Sequence, residues 1–113
     1  MDKEDTSEIR RKINCDTQNC IYMIQCQKYD EKYIGQTGRL IRFRIADHRG
    51  YIQNQVTSKA TGAHWNQPGH SLADLKVAIL EPTRNNSEEY RKEREKYLIN
   101  KFDTYYRGLN RQK

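Results

Sequence analysis

Two short segments with strand composition, separated by a polar stretch, constrain the fold of this chain more than any other feature. Residues 20–26 (CIYMIQC) and 32–36 (KYIGQ) are rich in β-branched and aromatic residues, whereas residues 27–31 between them are polar. The pattern predicts a β-hairpin. In its first strand Tyr22 and Ile24 alternate with their neighbours and share one face.

Helical periodicity and capping signals predict the other elements. Thr37-Gly38 is expected to end the second strand. The chain should then form a helix over about residues 40–53, a short helix over 57–65, a third strand over 74–81, a charged helix from an Asn-Asn-Ser cap to about residue 102, and a coil over 103–113. The apolar stripe of the charged helix is predicted to contain Tyr90, Tyr97, Leu98 and Phe102.

This order predicts an α+β domain in which a small three-stranded antiparallel sheet, the hairpin plus a third strand, is flanked by helices. The 113 residues suit one domain, which we expect over residues 15–113 after a flexible leader at residues 1–14. The longest apolar run is the five residues from Cys20 to Ile24, so we expect neither a transmembrane helix nor a secretory signal. We expect no membrane partner.

Basic residues exceed acidic ones, and the excess is uneven. The net charge is +6, and residues 84–113 hold nine basic and five acidic side chains. A second basic cluster contains Arg39, Arg42, Arg44 and Arg49. Clustered arginines in a basic protein suit a polyanionic partner such as nucleic acid. A solvated helix face has the same composition.

The three cysteines, Cys15, Cys20 and Cys26, cannot form a complete set of disulfides. With no secretory signal, a reducing intracellular compartment is expected, where cysteines pack or bind metal.

Several polar residues fall at the inner edges of the predicted elements: Tyr22, Tyr33, Arg44, His48, Glu95 and Asn110. A phosphodiester hydrolase needs this combination, because it requires a base for water, a cation for the phosphate oxygens and a carboxylate for a divalent metal. Each residue also has a simpler interpretation, since strand tyrosines commonly pack in cores and charged helix residues commonly form surface ion pairs. Composition alone therefore supports only a basic α+β domain.

A resemblance favours the hydrolase. Cys20-Ile21-Tyr22 and Tyr33-Ile34-Gly35, on adjacent predicted strands, resemble the signature of the GIY-YIG nucleases, with Cys20 where the name-giving glycine stands. The resemblance spans residues 20–111 and implies a GIY-YIG-like fold. It also matches the family's other site residues to Arg44, followed one turn later by His48, and to Glu95 and Asn110.

The finer motifs resemble the endonuclease domain of Penelope-like retroelements. They are YIGQTGR at residues 33–39, DHR at 47–49, ATGAHW at 60–65, PGHS at 68–71, RExxLIxxFxT at 94–104 and GLN at 108–110. In that branch the domain is normally fused behind a reverse transcriptase. The resemblance therefore implies either a domain excised from a longer parent protein or a stand-alone relative, in both cases acting inside the cell and in the nucleus.

The same branch implies a structural zinc site of two cysteines and two histidines. Cys26, His64 and His70 match three of its positions, but Tyr29 stands where the second cysteine is expected. A water, Asp30 or a thiol from the leader remain open as the fourth ligand. The alternative is that Cys26 is a packed thiol and both histidines are loop residues.

The resemblance implies a metal-dependent DNA endonuclease. Glu95 would hold one Mg²⁺ or Mn²⁺, and Arg44 would contact the scissile phosphate. Tyr22 would activate water with Tyr33 positioning it, although these roles can be exchanged, and His48 would accept a proton from Tyr22 or bind phosphate. Asn110 would tie the C-terminal segment to the site. Three further basic residues would contact DNA: Arg39, Arg42 and Arg49.

Two other functions remain open from the sequence. One is a catalytically silent nucleic-acid-binding module of the same fold, and the other is a zinc-stabilised domain that contacts proteins. The oligomeric state does not follow from the sequence.

Overall fold

The structure is a computed structural model that describes residues 17–83 and 87–110. The leader predicted at residues 1–14, Cys15 and the two asparagines of the predicted helix cap lie outside the described residues.

Three strands and four helices follow one another in the described chain. They are β1 (Gln18–Cys26), β2 (Glu31–Leu40), α1 (Ile41–Gln53), α2 (Ala60–Trp65), β3 (Leu75–Pro82), α3 (Glu88–Phe102) and α4 (Thr104–Arg107), with a short 3₁₀ turn at Leu72–Asp74. Both neighbours of β1 are antiparallel to it, in the order β2-β1-β3. The predicted three-stranded antiparallel sheet flanked by helices is confirmed.

The central strand β1 is apolar on both faces because both faces are covered. On one face Cys20, Tyr22, Ile24 and Cys26 pack against Ile41, Ile52 and Trp65 of α1 and α2. On the other, Ile21 and Met23 pack with Ile34, Ala78 and two residues of α3, Leu98 and Ile99. The predicted alternation along β1 is therefore confirmed.

The prediction that Thr37-Gly38 ends β2 is wrong. The strand continues to Leu40, which pairs with Gln18 of β1 after one irregularity in the register. Within the strand Gly38 leaves room for Arg91, since a Cβ here would lie 2.6 Å from a guanidinium nitrogen of that residue and would displace it. Helix α1 begins at Ile41, directly after Leu40. The Ile41 N–H donates to the carbonyl of Thr17 at 2.7 Å.

Helix α3 begins and ends at clear signals. The Ser87 side chain accepts a hydrogen bond from the Tyr90 N–H, which confirms a serine cap, and Asp103 in the left-handed conformation ends the helix. The next residues form α4 rather than the predicted coil. No helix within residues 17–83 and 87–110 is long and apolar enough to cross a membrane.

The predicted apolar stripe of α3 is only partly correct. Leu98 is buried, but Tyr90, Tyr97 and Phe102 are 39%, 50% and 46% exposed. The helix packs through Leu98 and Ile99 instead, and the Arg94 guanidinium lies 4.7 Å from the centroid of the Tyr97 ring. An aromatic ring covered by the charged end of a neighbouring arginine tolerates this exposure.

Gly35 of β2 provides the space that Tyr22 occupies. The two residues are directly paired across β1 and β2, and a Cβ on Gly35 would lie 2.6 Å from the ring carbon that carries the Tyr22 hydroxyl. The Tyr22 ring therefore crosses β2 at a position without a side chain.

We predict that Gly35→Ala lowers the free energy of unfolding by about 1–3 kcal/mol, because the added methyl overpacks a fully buried ring. The control is Gly50→Ala in α1, where no atom lies within 4 Å of the new Cβ. This change should stabilise the helix by up to about 1 kcal/mol. Urea unfolding of both variants measures the difference, and equal effects would contradict the prediction.

Candidate active site

A cavity of about 350 Å³ opens between β2, α1 and α3. Five of the six predicted site residues line it: Tyr33, Arg44, His48, Glu95 and Asn110. Tyr22 does not line it but lies behind the wall, fully buried. The structure thus brings the predicted residues together and separates the two tyrosines by their access to the cavity.

The cavity also contains residues that the sequence prediction missed. Tyr51, Ser58, Lys59 and Lys96 belong to its lining. Tyr51 had a usable signal, because it follows Arg44 and His48 at helical spacing on the same stripe of α1. Lys59 had no such signal in the sequence, because only the folding of the segment after α1 brings it to the cavity. Its ammonium lies 5.6 Å from the centroid of the Tyr51 ring.

The Tyr22 hydroxyl is the centre of a buried hydrogen-bond network. Arg44 Nε donates to Tyr22 Oη at 3.0 Å, and His48 Nε2 lies 2.9 Å from the same oxygen. The other ring nitrogen of His48, Nδ1, lies 2.8 Å from Thr61 Oγ1. Arg44 and His48 meet one phenol because they are four residues apart on α1.

Burial sets the protonation states around this network. It raises the pKa of Tyr22 and that of Tyr33, an effect that Arg44 opposes in both cases. Burial, together with the charge of Arg44, lowers the pKa of His48 to about 3. Both phenols and the imidazole are therefore neutral at neutral pH, and Arg44 carries the positive charge.

Glu95 supplies the carboxylate on the opposite wall. Its side chain is half-buried, and burial raises its pKa while Arg44 and Lys92 oppose the rise. Within residues 17–83 and 87–110 no group of three or more metal-ligating His, Cys, Asp or Glu side chains occurs. Glu95 is the one carboxylate among the described residues that line the cavity, so a metal ion here would bind a single protein carboxylate. Such a site suits Mg²⁺ or Mn²⁺, which keep several waters and also bind phosphate oxygens.

The four clustered arginines divide between two sides of α1. Asp47 Oδ2 accepts hydrogen bonds from Arg44 Nη1, at 3.3 Å, and from Arg39 Nη2. Arg42 and Arg49 instead line a separate groove with Ile45 and Val77. Of the three arginines predicted to contact DNA, Arg39 is joined to the cavity-lining Arg44 through Asp47.

Asn110 is held by the edge of β2. Its Oδ1 accepts from the Ile34 N–H and its Nδ2 donates to the Ile34 carbonyl, both at 2.8 Å. Thr104 Oγ1 donates to the same Oδ1 at 2.7 Å. The carboxamide therefore replaces a neighbouring strand next to Tyr33 and attaches the C-terminal segment to the site.

A family model for the GIY-YIG catalytic domain matches residues 18–110. The chain belongs to the GIY-YIG family. Its fold is similar to that in the "Structure of the Catalytic Domain of Homing Endonuclease I-TevI", with 18% sequence identity and a TM-score of 0.61 over 82% of this chain and 97% of that one. No curated protein matches the chain.

The zinc site implied by the sequence is not assembled in this GIY-YIG domain. The rings of His64 and His70 lie 4.4 Å apart, but Tyr29 stacks on His70 at 4.5 Å, and Cys26 is buried in the core with Trp65. His64 Nε2 is buried and has no hydrogen-bond partner among the described residues. In the described part of the chain no three His, Cys, Asp or Glu side chains come together as metal ligands, so the predicted set of Cys26, His64 and His70 is not assembled as a tetrahedral zinc site.

We predict that Asn110→Ala lowers the free energy of unfolding by about 1–3 kcal/mol for each Ile34 backbone group left without a partner. Asn100→Ala on the exposed side of α3 is the control and should change it by less than about 0.5 kcal/mol. Denaturant unfolding checks both. If Asn110→Ala is as stable as the control, Asn110 does not hold the edge of β2.

Proposed function

We propose that this chain is a metal-dependent DNA endonuclease that hydrolyses phosphodiester bonds. The observation that carries the proposal is the pairing of a cation, Arg44, and a desolvated carboxylate, Glu95, across one cavity of a GIY-YIG catalytic domain. The similar solved fold comes from a homing endonuclease, which supports DNA as the substrate.

Arg44 is proposed to bind the scissile phosphate. Its Nε is engaged by Tyr22 and one terminal nitrogen by Asp47, which holds the planar guanidinium in one orientation. A fixed guanidinium recognises phosphate oxygens by paired, charge-assisted hydrogen bonds and offsets the charge that develops on them. Lys59 and Lys96 add positive charge to the cavity rim.

Tyr33 is proposed as the tyrosine that activates or orients the water, with Tyr22 in the positioning role. This exchanges the roles first expected. Tyr33 lines the cavity, whereas Tyr22 is fully buried and its oxygen is already shared by Arg44 and His48. A general base must lie within hydrogen-bond reach of the water whose proton it takes. Arg44 is the group that lowers the pKa of Tyr33 against burial.

Glu95 is the residue that would hold Mg²⁺ or Mn²⁺. When bound, such an ion supplies charge stabilisation for the leaving oxygen. The half-buried position of the Glu95 carboxyl beside the Arg44 charge supports this assignment.

The motif resemblance extends the proposal to a retroelement endonuclease of the Penelope-like type, joined to a reverse transcriptase in a longer parent protein and working in the nucleus. The residues that support it are those of the YIGQTGR, PGHS and GLN motifs. Sequencing the gene upstream of this region tests it, because a parent reading frame without a reverse transcriptase would contradict the fusion.

We predict that Glu95→Ala reduces cleavage of supercoiled plasmid by at least about a thousandfold in Mg²⁺ or Mn²⁺, since the metal contributes several kcal/mol of transition-state stabilisation. Glu93→Ala, an exposed carboxylate on the same helix, is the matched control and should cleave at the wild-type rate. Circular dichroism checks that both variants fold. Wild-type protein that binds DNA without cutting it would instead support the silent binding module.

We also predict that DNA binding is electrostatic and weakens steeply with salt. The logarithm of the affinity should fall by about 0.9 per phosphate neutralised for each tenfold rise in salt. Arg39→Ala should reduce this slope by about 0.9, while Arg42→Ala, on the other side of α1, should leave it unchanged. Fluorescence anisotropy over a salt series measures both. An unchanged slope for Arg39→Ala would show that the DNA does not follow the cavity side of α1.

A further inference from the structure

Thr61 of α2 lies at the far end of the buried network that begins at Arg44. Its side chain is 1% exposed, and its Oγ1 contacts His48 Nδ1 at 2.8 Å while His48 Nε2 contacts Tyr22 Oη at 2.9 Å. We propose that Thr61 is a positioning residue: its hydroxyl fixes the tautomer of His48 and, through Tyr22, the orientation of Arg44. The catalytic consequence of this assignment rests on the proposed nuclease function, whereas the assignment itself does not.

The direction of each hydrogen bond follows from which atoms carry protons. A guanidinium only donates, so Tyr22 Oη accepts from Arg44 Nε. A neutral imidazole has one N–H and one bare nitrogen, so His48 donates through one ring nitrogen and accepts through the other. Two arrangements satisfy these conditions at His48.

In the first arrangement the Tyr22 hydroxyl donates to His48 Nε2, and the His48 Nδ1–H donates to Thr61 Oγ1. The protons on Tyr22 Oη and His48 Nδ1 then both have acceptors, and the Thr61 hydroxyl proton is the one left over. In the second arrangement Thr61 donates to Nδ1 and the Nε2–H donates to Tyr22 Oη. The Tyr22 proton then has no acceptor among the described residues, although its oxygen is fully buried. Each arrangement thus leaves one hydroxyl proton over. The first is favoured because a phenol is a better donor than an aliphatic hydroxyl, and because the Thr61 proton rotates about its C–O bond whereas the Tyr22 proton stays near the plane of its ring.

The protonation states agree with this arrangement. Burial lowers the pKa of His48 and raises that of Tyr22, so both are neutral at neutral pH and the phenol proton is present to be donated. Thr61 also remains an acceptor for Nδ1–H if His48 becomes charged, because both nitrogens of an imidazolium donate.

The consequence reaches the phosphate-binding group. With His48 accepting from Tyr22, a lone pair on Tyr22 Oη is left for Arg44 Nε. If His48 changed tautomer, its Nε2–H and Arg44 Nε would both donate to that one buried oxygen, which would weaken one of the contacts that orient the guanidinium. Small displacements of a catalytic group reduce rates steeply.

The test is ¹⁵N NMR of the full chain labelled at histidine, because protonated and bare imidazole nitrogens have well separated shifts. Wild-type His48 should show Nδ1–H and a bare Nε2 at neutral pH. Thr61→Val, which keeps the shape and removes the hydroxyl, should shift His48 towards the Nε2–H tautomer, and Thr61→Ser should restore the wild-type pattern. Thr83→Val is the control, since Thr83 is buried but donates to Asn19 at the other end of the sheet.

Cleavage assays provide the second measurement. We expect Thr61→Val to lower kcat by about 10- to 100-fold, Thr61→Ser to recover most of it, and Thr83→Val to leave it unchanged. A wild-type spectrum with a bare Nδ1 overturns the proposal, whether or not Thr61→Val folds. An unchanged tautomer and unchanged kcat in folded Thr61→Val overturn it as well. Wild-type protein that shows the expected tautomer but cuts no DNA supports the hydrogen-bond arrangement and contradicts the nuclease function.

Discussion

The passage of the Tyr22 ring across β2 at Gly35 is the contact on which the active site depends. A side chain from the central strand normally stays above its own strand, but here the missing Cβ lets the phenol reach the cavity wall. The oxygen then meets Arg44 and His48, both from α1. One glycine thereby connects the sheet to the helix that carries the charged group.

A buried phenol shared by a guanidinium and an imidazole is stable only if every polar atom has a partner. The network meets this condition through Thr61, and the edge of β2 meets it through Asn110, which pairs with both backbone groups of Ile34. Both devices adjoin Tyr33, since its ring lies 5.3 Å from that of His48 and Ile34 is the next residue in the chain. As a result, the residues that line the cavity are held by residues that do not need to touch a substrate.

The sequence predicted what depends on local pattern. Alternation identified the faces of β1, and helical spacing placed Arg44 and His48 side by side. It did not predict that Tyr22 is buried while Tyr33 faces the cavity, because that difference depends on the pairing of Tyr22 with Gly35. Nor did it predict Lys59 or Thr61, which reach the site only through the packing of α2 against α1. The sequence pattern placed Tyr97 on the buried stripe of α3. It could not show that the ring lies at the surface, where one side contacts the Arg94 guanidinium.

The absence of a loop between β2 and α1 has a mechanical consequence. The strand ends at Leu40 and the helix begins at Ile41, so a continuous, hydrogen-bonded backbone connects Tyr33 to Arg44. Each residue added or removed in the first turn of α1 would rotate the rest of the helix by about 100°, and three or four would be needed to bring the arginine back. The number of residues between Tyr33 and Arg44 therefore determines the direction in which the Arg44 side chain leaves the helix. Evolution can vary the side chains along this segment far more easily than its length.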